Sequence, residues 1–431
     1  MHKSKKPIGF WSAVSMGIGA MVGAGIFALL GEASAISGSA VYISFIIGGI
    51  IALFSGYSLG KLGARYPSSG GIIEYLSQSY GVGFFTGTMG VILYFAAIIS
   101  LSLIAKAFGN YAVTFLPATE NLKIWQILFS SGIIILLVLL NLEGAKDVAL
   151  LERITVGIKF AILTSLSIAG IIFLNPKLLS PSYYPPGNDI FFSLAITFFA
   201  FEGFRVITNT AEDMPNPSET LPKAMMTAIV LVMLLYVAIA FAVFGNLPVE
   251  QVIAAKDFAL AEAALPIFGQ IGFSVVAITA LIATASSINA NLYAVTNVTY
   301  QLAKDGELPS VFGKPIAHSR EGLLVSGVLI IILSLLFDLS EIAAIGSISI
   351  LFVHTVTHVG HLKIISETGG SRFLVFIAAI LSFIAMILAI VYVSMVLNHV
   401  VYILAGVVLV ALITETSLRK FVKREIKPRV I

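Results

Sequence analysis

Apolar stretches of about twenty residues follow one another along almost the whole chain, the length a helix needs to cross a hydrocarbon core. They lie at approximately 9–31, 38–61, 80–116, 124–142, 149–174, 188–210, 223–245, 268–300, 322–337, 341–363, 373–397 and 399–418. Backbone at that depth has no water to bond, so such a chain must fold as a bundle of helices that satisfy their own polar groups. The spacing therefore predicts an all-α membrane protein of twelve transmembrane helices. The third and eighth stretches are over-long and should tilt or protrude. Composition agrees: the chain is 58% hydrophobic and 11% charged, with a mean hydropathy of +1.02. A soluble domain carries about 25% charged residues. Spans fill the 431 residues, leaving a single domain with no soluble part and no nucleic-acid surface. There is no cysteine, which excludes disulfides and thiolate metal sites. After Met1-His2-Lys3-Ser4-Lys5-Lys6 the apolar run has no small-residue cleavage site, so it is read as an uncleaved first helix.

Basic residues set the orientation. With the N-terminus inside, nineteen of the 25 Lys and Arg fall on the cytoplasmic side, six of them in the tail after Ser417. Only Lys123, Lys177 and Lys256 fall on the other side, and Lys106, Lys159 and Arg205 lie within spans or at their edges. The bias places both termini of this multi-pass chain in the cytoplasm, and a cell (plasma) membrane is expected from its size, the lack of a signal and the resemblance given below.

The first span is crowded with glycine. Gly19-Ala20-Met21-Val22-Gly23-Ala24-Gly25-Ile26-Phe27 places three glycines within seven residues. Each costs roughly 1 kcal/mol of helix propensity relative to alanine. Interrupted spans are how many secondary transporters build a site at the bilayer midplane. The competing reading is packing, because Gly19-x-x-x-Gly23 is also a helix-contact motif. The sixth span, Phe198-Phe199-Ala200-Phe201-Glu202-Gly203-Phe204-Arg205, again carries a mid-span glycine, here beside a carboxylate. Five spans separate the two breaks, so the halves enter the membrane from opposite sides. That layout is a five-plus-five inverted repeat, with repeat one at about 8–174, repeat two at about 188–363 and peripheral helices at about 373–418.

These motifs resemble those of the amino acid–polyamine–organocation permeases. Gly19 to Phe27 is similar to the first-helix signature of that superfamily, and Phe199 to Phe204 to the sixth. Glu212-Asp213-Met214-Pro215-Asn216-Pro217 with Leu221-Pro222-Lys223-Ala224, and Leu302-Ala303-Lys304-Asp305-Gly306-Glu307-Leu308-Pro309, resemble its loops. Within the superfamily the likeness is nearest to the archaeal proton-coupled, broad-specificity amino acid transporter. The resemblance implies a leucine-transporter-like fold in which helices 1 and 6 unwind at mid-membrane.

Half-helix ends expose N–H donors at one side and carbonyls at the other, and a zwitterion needs both. Free N–H groups near Ala24 and Gly25 suit a carboxylate. Free carbonyls near Met21, Phe199 and Glu202 suit an ammonium. The resemblance places the common part of an amino acid against Met21, Val22, Gly23, Ala24, Gly25, Phe199, Ala200, Phe201, Glu202 and Gly203, with Phe199 as an aromatic gate. As a bland alternative, Phe199 is one of 30 phenylalanines in a lipid-facing chain.

Lys159 lies inside the fifth span, where a charge costs about 2.5–3.5 kcal/mol on insertion scales and normally faces the bundle interior. A desolvated amine suits a proton carrier. The resemblance implies a proton-coupling site of Lys159 with Gly19, Val22, Ser286 and Ser287. The alternative is a lysine that snorkels to the cytoplasmic interface near Glu152 and Arg153. Lys106 is expected to be structural or solvated. Glu202 and Arg205, at i and i+3, can pair on one face. Many relatives carry an acid at the Arg205 position, so a pH-sensing role does not transfer there. His354, His358 and His361 share one face of the tenth span. A polar vestibule face is the ordinary reading, beside a metal site or a proton relay.

Together these readings give a transporter of amino acids, coupled to protons as a symporter by alternating access. Exchange without a proton, and transport of polyamines or other organic cations, are the alternatives. No protease metal motif, Ser-His pair or paired intramembrane aspartates suggest an enzyme. No cofactor is implied, and the partners are substrate, protons and lipid.

Overall fold

The computed structural model describes residues 8–68, 70–117, 121–143, 148–304, 308–317 and 319–420. Of Ala24, Glu152, Arg153, Lys256 and Lys304 only the backbone is described. Lys3, Lys5, Lys6, Lys146, the loop residues Asp305, Gly306 and Glu307, and the tail Lys423, Arg424, Lys427 and Arg429 lie outside the described residues.

Among the described residues, regular structure is helical apart from one short antiparallel pair, Pro315–Ile316 (β1) with Ser319–Arg320 (β2). The first half comprises α1 (Phe10–Ser37), α2 (Val41–Arg65), α3 (Ile72–Tyr80), α4 (Phe84–Val113), α5 (Leu122–Glu143) and α6 (Val148–Ile172). Then come α7 (Gly187–Phe192), α8 (Leu194–Thr197), a 3-10 helix over Phe199–Asp213, α9 (Pro217–Phe244), α10 (Val249–Ala254) and α11 (Ala259–Glu262). The remainder is α12 (Leu265–Lys304), α13 (Glu321–Leu336), α14 (Leu339–Lys363), α15 (Ile365–Thr368), α16 (Arg372–Val396) and α17 (Asn398–Lys420). Ten helical stretches among the described residues are long and apolar enough to cross a membrane, and Phe10–Gly23 and Glu321–Leu336 are shorter apolar stretches.

α1 and α4 form the centre. α1 packs on the 3-10 helix, α9, α12, α4 and α6, and α4 packs on α5, α12, α13 and α14. The apolar stretch of α4 is 89% buried, whereas those of α5 and α17 are 28% and 22% buried. Ile135, Leu136 and Leu139 on α5 and Leu409, Val410 and Ile413 on α17 are exposed, the surface a hydrocarbon solvent accepts. α16, expected at the periphery, packs along both α2 and α14.

Local chemistry explains where elements stop. The over-long third stretch is two elements: Gly81, at φ +78, ends α3, and α4 begins after Gly83. The over-long eighth stretch is one helix bent at Gly269, whose φ of +63 is costly for any residue with a Cβ. α14 starts with a capping box in which Asp338 and Glu341 each accept from the other's backbone N–H.

The two expected breaks differ from each other. The first is absent: α1 is a continuous α-helix from Phe10 to Ser37, through Gly19, Met21, Val22, Gly23, Ala24 and Gly25. The second is a change of pitch. α7 and α8 meet at Ser193, and the chain then tightens into a fifteen-residue 3-10 helix that contains Phe199 to Gly203. Runs of 3-10 helix beyond three or four residues are uncommon, and a long one marks strain or a functional hinge. In α1 the glycines serve close packing. A Cβ at Gly23 would overlap the Ser287 side chain, and one at Gly25 would overlap the Tyr236 hydroxyl and come 2.5 Å from Ala200 O. A Cβ at Gly203 would overlap the Met21 amide and come 2.5 Å from Ala20 C. Two backbones therefore touch where side chains would hold them apart.

Candidate functional site

Where α1, the 3-10 helix, α4 and α12 converge there is a cavity of about 350 Å³, open space included, lined by Ala20, Met21, Ser100, Ile104, Phe199, Ala200, Glu202, Gly203, Arg205, Val206 and Asn291. A second cavity of about 500 Å³ shares Arg205, Val206 and Asn291 with it and reaches Gly70, Ile72, Thr208 and Asn209. Gly70 precedes α3 and Asn209 nears the end of the 3-10 helix, so this second space leads towards the face from which α1 starts, here termed the N-terminal face.

Most of the expected substrate positions come together. Met21, Phe199, Ala200, Glu202 and Gly203 line the smaller cavity. Val22, Gly23, Gly25 and Phe201 are buried beside it rather than in its wall. The ring of Phe199 is buried, with its Cζ against Gly346 of α14 and Ile99 of α4 nearby. It thus stops one side of the cavity.

Sequence reasoning missed Tyr236. This α9 residue is fully buried, and its hydroxyl lies 2.8 Å from Met21 O and 3.2 Å from Ala200 O, so it donates across the junction of α1 and the 3-10 helix. The available signal was a phenol in an otherwise apolar span, because a buried hydroxyl needs a partner. Tyr236→Phe removes that donor. It is expected to lower the thermal unfolding midpoint by a few degrees in a detergent melt and to slow uptake. Asn291 was also missed. It donates to Ser287 O at 2.8 Å and reaches the cavity wall.

Lys159 points inward, not to the interface. It is 1% exposed, and its Nζ donates to Gly19 O at 2.8 Å. From α12, Ser287 Oγ donates to Ala20 O at 3.5 Å. Ser287 is buried against Gly23, whereas Ser286 is only half-buried. Three helices, α1, α6 and α12, are therefore tied together next to the cavity floor by one ammonium and one hydroxyl.

Glu202 and Arg205 form the expected i, i+3 ion pair, through Oε1 and Nε. Glu202 Oε2 faces His354 Nε2 of α14 at 3.6 Å. The three histidines do not form a vestibule face, since all are fully buried and bonded to α2 serines. Lys106 is structural: its Nζ donates to Ser334 O at 3.2 Å and Phe337 O at 2.6 Å, so it caps the carbonyl end of α13, with Asp338 at 3.9 Å.

Comparison with known proteins fits this architecture. The model of a family described as "Amino acid permease" matches residues 8–413. The Inner membrane transport protein YbaT of Escherichia coli strain K12 is 36% identical over 382 residues, covering 88% of this chain and 89% of the relative. A Methanocaldococcus jannaschii protein, MJ0609, is 36% identical over 386 residues and 88% of each chain. The Serine/threonine exchanger SteT of Bacillus subtilis strain 168 is 28% identical over 324 residues, covering 73% of this chain and 71% of the relative. A match of this extent, over a bundle of apolar helices around a polar cavity, makes the chain a member of the amino acid permease family: a multi-pass membrane transporter of amino acids and not an enzyme.

Proposed function

We propose that the chain is a proton-coupled symporter that carries amino acids across the cytoplasmic membrane by alternating access. The observation that carries this reading is the Lys159 ammonium on Gly19 O at 2.8 Å, beside the cavity. A buried cation that donates to the backbone of a moving helix makes that contact depend on its proton. With the proton on, α1, α6 and α12 are tied; with it lost, the tie weakens and the path towards the N-terminal face widens. Twelve crossings, two inverted halves and both termini in the cytoplasm accompany this reading.

The substrate-holding residues are Met21, Val22, Gly23, Ala24 and Gly25 on α1 with Phe199, Ala200, Phe201, Glu202 and Gly203 opposite. α1 is continuous in this structure, but its glycines make the stretch cheap to unwind. The carboxylate and ammonium of a bound amino acid replace the hydrogen bonds that the helix makes to itself there. The Glu202 carboxylate is already engaged by Arg205, which disfavours polyamines and other organic cations. Exchange is the second reading, favoured by the likeness to the Serine/threonine exchanger SteT.

Competition in proteoliposomes tests the substrate class. Counterflow of a labelled amino acid is expected to be inhibited by compounds with both a free α-amino and a free α-carboxylate group. Methyl esters, N-acetyl amino acids and polyamines are expected to leave it unchanged. Inhibition by a polyamine equal to that by an amino acid would contradict the zwitterion site.

A further inference from the structure

One chain of buried polar side chains is left over by this account. Ser55 and Ser58 lie on one face of α2, and His354, His358 and His361 lie on the facing side of α14. Ser55 Oγ lies 2.7 Å from His354 Nδ1 and 2.9 Å from His358 Nε2. Ser58 Oγ lies 2.9 Å from His358 Nδ1 and 2.8 Å from His361 Nδ1. His361 Nε2 lies 2.8 Å from Thr368 Oγ1, on half-buried α15. The hydrogen bonds thus run unbroken from His354 to Thr368 at the N-terminal face, and at the other end His354 Nε2 stands 3.6 Å from the cavity carboxylate Glu202.

Proton counting gives this chain a direction. Ring tautomers follow from the network that surrounds them. With the Thr368 hydroxyl assigned as donor to Ile365 O at 3.1 Å, His361 Nε2 is assigned the N–H and donates to Thr368 Oγ1. A neutral imidazole has one N–H, so His361 Nδ1 is bare and accepts from Ser58. Ser58 then accepts from His358 Nδ1–H, and His358 Nε2 accepts from Ser55. Ser55 accepts from His354 Nδ1–H, which leaves His354 Nε2 bare. That bare nitrogen faces Glu202 Oε2 at 3.6 Å. Both atoms are buried, and neither has a hydrogen-bond partner among the described residues. An unmet buried acceptor costs about 1–3 kcal/mol, and here two oppose each other. The arrangement is one proton short, and the missing proton belongs at the wall of the transport cavity.

We propose that the Glu202–His354 pair is a one-proton site and that His354, Ser55, His358, Ser58 and His361 relay that proton between the cavity and Thr368 at the N-terminal face. A proton on Glu202 Oε2 passes to His354 Nε2. His354 releases its Nδ1 proton to Ser55, each link hands on its own proton in turn, and Thr368 gives one up to water. One proton leaves for the one that Glu202 gave up, no ring stays charged, and the charge left on the Glu202 carboxylate is matched by Arg205. Afterwards His354 Nε2–H donates to the Glu202 carboxylate, and the gap is closed. The charged groups that face this chain are Arg205 on the 3-10 helix, paired with Glu202, and Lys61 of α2, near His361. Both cations oppose a standing charge on the rings and favour relay through neutral ones. The relay deepens the symport reading and rests on it for its physiological use.

The test uses Ser55→Ala, which removes one link with little change of volume, and the full chain in liposomes. Ser55→Ala is expected to keep substrate counterflow, which needs no net proton movement. It is expected to lose gradient-driven accumulation about tenfold or more. Infrared difference spectra read the site without transport. The wild type is expected to show a protonated-carboxyl band that grows as pH falls and is absent in Glu202→Gln. After a pH jump the band is expected to rise more slowly in Ser55→Ala. A purely structural network would give no such band and no such delay. If the wild type shows the band and Ser55→Ala shows the delay, but the wild type shows no gradient-driven accumulation, the symport reading fails and the proton site stands. Wild-type accumulation in Ser55→Ala, or a spectrum with no Glu202 band, overturns the relay.

Discussion

Lys159→Ala is expected to lose about 10- to 100-fold of gradient-driven amino acid accumulation, the equivalent of one charge-assisted hydrogen bond worth about 1.5–3 kcal/mol. The expectation follows from position. Lys159 Nζ donates to Gly19 O, and Gly19 stands next to Ala20 and Met21, which line the cavity. The lysine stem is fully buried between α1 and α12, so no other cation of the described fold replaces it. Truncation removes the tie between α1 and α6 and, on the proposed account, the proton carrier with it. Lys159→Gln separates the two roles, because an amide still donates to Gly19 O and carries no titratable proton. Accumulation under an inward proton gradient and counterflow at equal pH are the paired measurements. Both variants should retain counterflow, and both should respond to the gradient far less than the wild type. If Lys159→Gln accumulates substrate as the wild type does, Lys159 is a structural donor only.

Gly203→Val is expected to abolish transport of any kind, counterflow included. A Cβ at Gly203 would overlap the Met21 amide and lie 2.5 Å from Ala20 C. Both are backbone atoms of a helix packed against the 3-10 helix, α9, α12, α4 and α6, so neither can move aside as a flexible side chain would. Overpacking of this kind costs typically about 1–3 kcal/mol and more when backbone must shift. The displaced backbone is also the cavity wall, so function should fail before folding does. Gly132→Val is the matched control. Gly132 lies on α5 with nothing within 4 Å of an added Cβ, and its substitution should leave counterflow unchanged. Detergent-solubilised yield and thermal melts distinguish a lost site from a lost fold. Full transport by Gly203→Val would mean that the close contact between α1 and the 3-10 helix is not part of the transport site.

Much of this was legible because the membrane makes sequence speak plainly. Apolar length sets the spans, and the resemblance of Gly19–Phe27 and Phe199–Phe204 to a known superfamily was met by the family match over residues 8–413. A lone lysine in an apolar span had to face a partner, and Lys159 does. The Glu202–Arg205 pair was legible from its i, i+3 spacing alone. The state of α1 was not legible, because glycine serves both an unwound backbone and a close contact, and sequence carries no term that separates them. Here the contacts to Ser287, Tyr236 and Ala200 account for continuous helix. The sixth span shows the opposite limit, since a shift from α to 3-10 pitch leaves no mark in composition. Tyr236 was hidden for a different reason: its partners are backbone carbonyls on elements far along the chain. The histidines were read as a face of one helix. Their meaning depends on two serines some three hundred positions away on α2, which no local pattern could supply.

Uptake of a labelled amino acid mixture into proteoliposomes, with and without an inward proton gradient, tests the central claim most directly. Proton symport gives accumulation above the outside concentration only when the gradient is present, and that accumulation collapses when a protonophore is added. Uptake that requires amino acid preloaded inside, and that ignores the gradient, would contradict the claim and make the protein an exchanger.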